Sequence, residues 1–133
     1  MNRTPTQADA ALARARRLLR DHRRRAKRDG VLDYDLTDIR RLLTEHAQCE
    51  YCSLPLSFAV SLDHRTPIGR GGRHALANLA VACQRCNQLK GMLTEAEYRE
   101  LLTLLALFHP VARSDVERRL LAGGKRYARQ QRP

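Results

Sequence analysis

Two short stretches, Cys49-Glu50-Tyr51-Cys52 and Cys83-Gln84-Arg85-Cys86, decide how this chain must fold. Each is a Cys-x-x-Cys turn, and thirty residues separate the two. Such turns present thiolates in pairs, and two pairs complete the tetrahedron that zinc prefers. All four cysteines are used and none is left over. Four thiolates leave no open coordination position, so Cys49, Cys52, Cys83 and Cys86 read as a structural zinc site rather than a catalytic one. A redox role for the pairs is the alternative, but no βαβ pattern surrounds either. His46, three residues before Cys49, reads as a helix-end residue rather than a ligand.

The need for such a staple follows from size. In a chain of 133 residues a unit cut from the middle is very small. Domains of that size bury too little apolar surface to hold together without a metal or disulfides. Binding a structural zinc contributes on the order of 10–16 kcal/mol in small zinc peptides, as much as the net stability of many whole domains.

Outward from the cysteines, the apolar run Phe58-Ala59-Val60 leads into Asp63-His64 and reads as one strand. A Gly/Arg loop over 65–73 follows, then a second strand at Leu79-Ala80-Val81 and a helix from about Gln84. Residues 7–29 predict a helix, with Ala8, Ala11, Leu12, Ala15, Leu18, Leu19 and Ala26 recurring mostly every three or four positions and Gly30 as its stop. Asp35 is placed to cap a short helix over 36–46. Thr94 and Glu97 form a capping-box pattern for a helix that Pro110 ends. Ser114 with Glu117 predicts a last helix, stopped by Gly123-Gly124. The fold class is therefore α+β: a small ββα core with a four-cysteine zinc site, flanked by several helices. Three parts are expected: a basic helical arm over 1–48, a core over 49–93, and a helical extension with a basic tail over 94–133.

The net charge of +11 is unevenly placed. Residues 1–30 carry ten Lys/Arg against three acids and residues 113–133 seven against two, while residues 31–112 carry eight against nine. A near-neutral centre between basic arms suits a partner of dense negative charge, above all nucleic acid; the alternative is a solvated, highly charged surface. Arg14, Arg17, Arg20, Arg24 and Lys27 line much of the first helix opposite its apolar stripe. They either meet phosphates, which the fork of a guanidinium matches, or make a solvated arm. No apolar run approaches the ~20 residues that cross a bilayer, and no apolar segment of a secretory signal is present. A cytoplasmic protein is expected, in which thiols stay reduced.

Residues Cys49–Gly91 resemble the four-cysteine branch of the HNH, or ββα-metal, endonucleases. The likeness rests on Cys49-x-x-Cys52, Leu62-Asp63-His64, Pro67, Gly71-Gly72, Asn78-Leu79, Cys83-x-x-Cys86-Asn87 and Lys90-Gly91, in family order and covering about a third of the chain. The third letter of the family name is Asn87 here, a substitution common among four-cysteine members. The resemblance implies a metal-dependent nuclease that hydrolyses DNA phosphodiesters and leaves 5′-phosphate and 3′-hydroxyl ends. His64 resembles the general base, since a neutral imidazole with an ordinary pKa near ~6.5 accepts a proton at neutral pH. Asp63 and Asn87 resemble the ligands of a catalytic divalent cation, Mg²⁺ or another, which accepts an oxygen-rich, partly hydrated shell. Asp63 and His64 lie next to each other on an extended segment, so their side chains should point to opposite faces. Asn78 resembles the central Asn of the catalytic motif, which braces the loop through backbone hydrogen bonds.

Arg65, Arg70, Arg73, Arg85 and Lys90 surround this motif. Arg70, Arg73 and Lys90 are expected to hold phosphates of double-stranded DNA, whereas His74 reads as a surface histidine. Two other functions compete with the nuclease. A zinc-stapled DNA-binding module without catalysis needs only the arms and the cysteines. An RNA-cutting effector is disfavoured by few aromatics, four Tyr and two Phe with no Trp, for stacking on single-stranded bases.

Overall fold

The computed structural model describes residues 3–29, 31–56 and 60–130. The chain runs α1 (Gln7–Asp29), α2 (Leu36–Glu45), β1 (Val60–His64), β2 (Leu79–Cys83), α3 (Gln84–Lys90), α4 (Glu95–Ala106) and α5 (Pro110–Gln130). The ββα core flanked by helices is the α+β architecture expected. Phe58, Ala59 and Gly30, which entered the predicted first strand and helix stop, lie outside the described residues.

The two strands pair antiparallel, with Val60 opposite Cys83, Leu62 opposite Val81, Asp63 opposite Ala80 and His64 opposite Leu79. Their alternation divides the molecule into two cores. Val60, Leu62, Leu79 and Val81 turn to one face and pack with Ala15, Leu18 and Leu19 of α1, Ile39 of α2 and Tyr34. Ala80 and Ala82 turn to the other, among Cys49, Tyr51, Cys86, Leu89 and Tyr98. The small Ala side chains leave room there for the cysteines. The basic first helix thus shares its buried stripe with the sheet, although Ala8 and Ala11 at its start are exposed.

Capping sets most helix starts. The Asp35 side chain accepts from Asp38 N, and Asp38 answers at the Asp35 backbone N–H. Thr94 and Glu97 make the same reciprocal pair at α4. The C-terminal helix differs from expectation in both directions. It begins at Pro110 rather than near Ser114, because proline at a first helical position has its φ preset and gives up only an N–H that would be unpaired anyway. It then passes through Gly123-Gly124 to Gln130. A Cβ on Gly124 would lie 3.9 Å from the Gln88 carbonyl oxygen of α3, against which α5 packs. A glycine pair costs a helix roughly 2 kcal/mol relative to alanine, a cost that tertiary contact can override. Among the described residues, no helix is long and apolar enough to cross a membrane.

Candidate active site and metal centre

The sulfur ligands come first because they fix the elements around them. The Sγ atoms of Cys49, Cys52, Cys83 and Cys86 all lie within 4.8 Å of one another. Cys52 Sγ and Cys83 Sγ are 3.8 Å apart. A tetrahedral zinc with bonds of about 2.3 Å has sulfur–sulfur edges of about 3.8 Å, so the donor set fits that ion. The turns are built for it. Ser53 takes a left-handed conformation (φ 63°) and donates its N–H to the Cys49 carbonyl at 2.9 Å. Cys83 caps α3, its sulfur accepting from Cys86 N at 3.3 Å. Burial opposes ionisation of Cys49, but backbone N–H groups of Cys52, Cys83 and Tyr51 outweigh it and lower its pKa. Beside Cys86 lies the buried Tyr98 hydroxyl, which has no oxygen or nitrogen partner among the described residues. His46 caps α2 with Nδ1 on the Leu42 carbonyl (3.0 Å) and does not join the cluster.

The residues between the first two cysteines reach away from the sulfurs. Glu50 accepts from the backbone N–H of Val81 and, at 2.8 Å, from Arg65 Nη2. The Tyr51 hydroxyl donates to Asp63 Oδ2 at 2.6 Å. The first Cys-x-x-Cys turn therefore touches both strands.

Asp63 and His64 end β1 and point to opposite faces of the hairpin. Asp63 is buried between Tyr51 and Lys90, whose ammonium lies 3.3 Å from Oδ1 and 3.2 Å from Oδ2. Burial raises the Asp63 pKa, opposed by Tyr51 and Lys90. His64 turns toward α1, where its ring stacks on His22 at 5.0 Å and meets His74 edge-on at 5.0 Å. Burial first, then the neighbouring histidines and the charges of Arg25 and Lys90, push its pKa down to about 3. The ring is therefore held neutral far more firmly than the ordinary value suggests. Its Nε2 is buried without a partner among the described residues. Asp63, His64 and Asn87 nevertheless line one cleft of about 230 Å³, with Arg25, Gly69 and Met92 on its walls. The Asn87 side chain, on α3, makes no hydrogen bond to any described residue, so its amide oxygen is uncommitted. A free amide oxygen and a carboxylate on one cleft are the donor types that a hard divalent cation takes, although both oxygens of Asp63 are here held by Tyr51 and Lys90.

Asn78 holds the loop that closes this cleft. Its Oδ1 accepts from Thr66 N (2.9 Å), and its Nδ2 donates to the carbonyls of Thr66 (3.0 Å) and Arg73 (2.9 Å). Glycine is required beside it, since a Cβ on Gly72 would stand 1.9 Å from the Thr66 carbonyl oxygen.

The basic residues divide by partner. Arg65 bridges Glu50 and Glu95, Arg70 is taken by Glu97 and the Met92 carbonyl (3.2 Å), and Arg85 pairs with Glu117. Lys90, expected to face a phosphate, is 1 % exposed instead. Besides Asp63 it binds the His64 carbonyl at 2.8 Å, because a buried carboxylate draws a cation inward. Arg73 is exposed and forms no ion pair with a described residue. His74 corrects the surface reading: it is 3 % exposed, with neither ring nitrogen partnered among the described residues.

Sequence reasoning passed over His22, Tyr51 and Arg25. His22 is buried, its Nδ1 accepting from the Tyr34 hydroxyl and its Nε2–H donating to the Leu62 carbonyl at 3.1 Å. Its signal was present, for it falls on the apolar stripe of α1 between Leu18, Leu19 and Ala26. Tyr51 carried none beyond its place inside the zinc turn. Arg25 sat among arginines alike in sequence.

Comparison with known proteins adds one match. Residues 49–92 match the family model described as HNH endonuclease. No curated protein and no solved structure matches the chain.

Proposed function

We propose that this chain, whose residues 49–92 are an HNH endonuclease domain, is a metal-dependent nuclease that hydrolyses phosphodiesters of double-stranded DNA. The observation that carries the reading is the shared cleft of Asp63, His64 and Asn87. His64 takes the proton of a water whose oxygen bonds to phosphorus, while the bond to the leaving 3′-oxygen breaks and that oxygen takes a proton from solvent water to become a hydroxyl. The neutral ring is the form that accepts a proton. Asp63 and Asn87 would hold the divalent cation, which when bound neutralises charge on the phosphate and on the leaving oxygen. Cys49, Cys52, Cys83 and Cys86 hold a structural zinc that ties β2 and α3 to the first turn. Asn78 braces the loop beside the cleft, and the exposed Arg73 lies on that loop for contact with the DNA backbone.

A second reading, a zinc-stapled DNA-binding module without catalysis, draws on one observation: Lys90 already neutralises Asp63. Supercoiled plasmid separates the two. Wild-type protein should nick it only when Mg²⁺ or a similar cation is supplied. H64A should keep its zinc and its affinity for DNA but cut ~10²–10⁴-fold more slowly. Nicking by H64A at the wild-type rate removes His64 from the chemistry, and a wild type that binds without cutting favours the module.

A further inference from the structure

The first helix lies outside the matched residues 49–92, yet it forms one wall of the cleft. Burying Leu18, Leu19 and His22 against the sheet fixes its rotation, and this brings Arg25, three residues beyond His22, over the site. Arg25 lines the cleft of Asp63, His64 and Asn87. It also lines a neighbouring cleft of about 420 Å³ that includes Arg17, Asp21, Gln84 and again Asn87. The two share Arg25, Leu62 and Asn87, so together they form a single groove that runs from the Pro67–Gly69 loop along α1.

The only cations lining this groove among the described residues are Arg17 and Arg25, and they differ from those of the core in what they have left to offer. Arg65, Arg70, Arg85 and Lys90 of the core are each held by a carboxylate. Arg25 is exposed and forms no ion pair with a described residue; Asp21, the carboxylate of the adjoining cleft, is not within ion-pair distance of it. Its charge is felt by both His22 and His64. A guanidinium so placed presents paired N–H donors that match two oxygens of one phosphate.

Resting on the nuclease reading above, we infer that Arg25 is a catalytic residue supplied by the N-terminal helix, which binds the non-bridging oxygens of the phosphodiester under attack. Arg17, two turns earlier, meets the backbone of the same strand further along the groove. The active site is then completed by a helix outside the HNH core, and α1 is more than a non-specific basic arm.

The test compares full-length, zinc-loaded R25A and R25K with R23A, which removes the same charge from the same helix. Arg23 lies in a separate groove with Arg16, Arg20 and Arg24. Cleavage of duplex DNA is measured at saturating substrate, and affinity for a short duplex is measured in the H64A background with no Mg²⁺ added. R25A should lower kcat on the order of 10²-fold, R25K should recover part of it, and R23A should change apparent affinity alone. In the H64A background R25A should weaken duplex binding more than R23A does. Equal effects of R25A and R23A on both readouts overturn the assignment while leaving the nuclease reading intact. A wild type that cuts no DNA ends that reading and, with it, the catalytic role assigned to Arg25.

Discussion

The Tyr51 hydroxyl donates to Oδ2 of Asp63 at 2.6 Å, and Tyr51 stands between two of the zinc-site cysteines. The same ring packs edge-on against Tyr98 at 5.2 Å and lies under the Arg99 guanidinium at 5.3 Å. A turn wound by the sulfur cluster thus places a hydrogen-bond donor on the carboxylate of the cleft. Tyr51→Phe keeps the ring and removes that donor. Losing one donor to a buried acceptor costs about 1–3 kcal/mol, and Asp63 becomes free to turn. Y51F should bind zinc in full, melt lower and cut DNA several-fold more slowly. A variant with wild-type melting and cleavage would uncouple the turn from the site.

Lys90 is the other partner of Asp63, and both side chains are buried. Removing one member of such a pair strands the other charge, at a cost of about 3–5 kcal/mol, whereas replacing both costs much less. Lys90→Met should therefore lower the denaturant midpoint strongly, and adding Asp63→Asn should recover part of the loss. Equal midpoints for wild type and K90M would show that the ammonium contributes nothing to the fold.

These two contacts mark where sequence reading stopped. The four cysteines, both strands and α1 to α4 were legible, because metal-ligand spacing, apolar periodicity and capping residues are local signals. Pro110 and Gly123-Gly124 misled for the same reason: local preference gave way to packing of α5 on α3. Lys90 looked like any cation in the last turn of a helix, and its partner is 27 residues away in sequence. His74 looked exposed because its loop is rich in Gly and Arg, yet the ring folds in against His64. Tyr51→Asp63 and His22→Leu62 are long-range pairings, which a pattern read along the chain does not contain.

The loop over the cleft tolerates no side chain at one position. A Cβ on Gly72 would meet the carbonyl oxygens of Thr66 at 1.9 Å and Pro67 at 2.9 Å, and both are backbone atoms. Gly72→Ala must therefore push the loop outward and break the Asn78 clamp on Thr66 and Arg73. The zinc site lies elsewhere, so G72A should retain one zinc per chain while losing most cleavage and about 2 kcal/mol or more of stability. Full activity in G72A would show that the clamp does not position the cleft.

His22 gives the fold an acid limit. Burial, followed by the nearby Arg25 charge, lowers its pKa to about 4, while the unfolded chain keeps the ordinary 6.5. Between these values the unfolded state binds the extra proton, so stability rises with pH across the window. The contribution is complete above pH 6.5 and is lost progressively as the pH falls toward 4. Protonation of His22 also ends the bond that its Nδ1 accepts from Tyr34. The expected loss is on the order of 2 kcal/mol. Metal binding by thiolates depends on pH in its own right, so the wild type is compared with His22→Phe, which shares every cysteine. The wild type should lose more stability than H22F between pH 7 and pH 4.5 in denaturant titrations; parallel curves for the two would show that the buried imidazole does not set the limit.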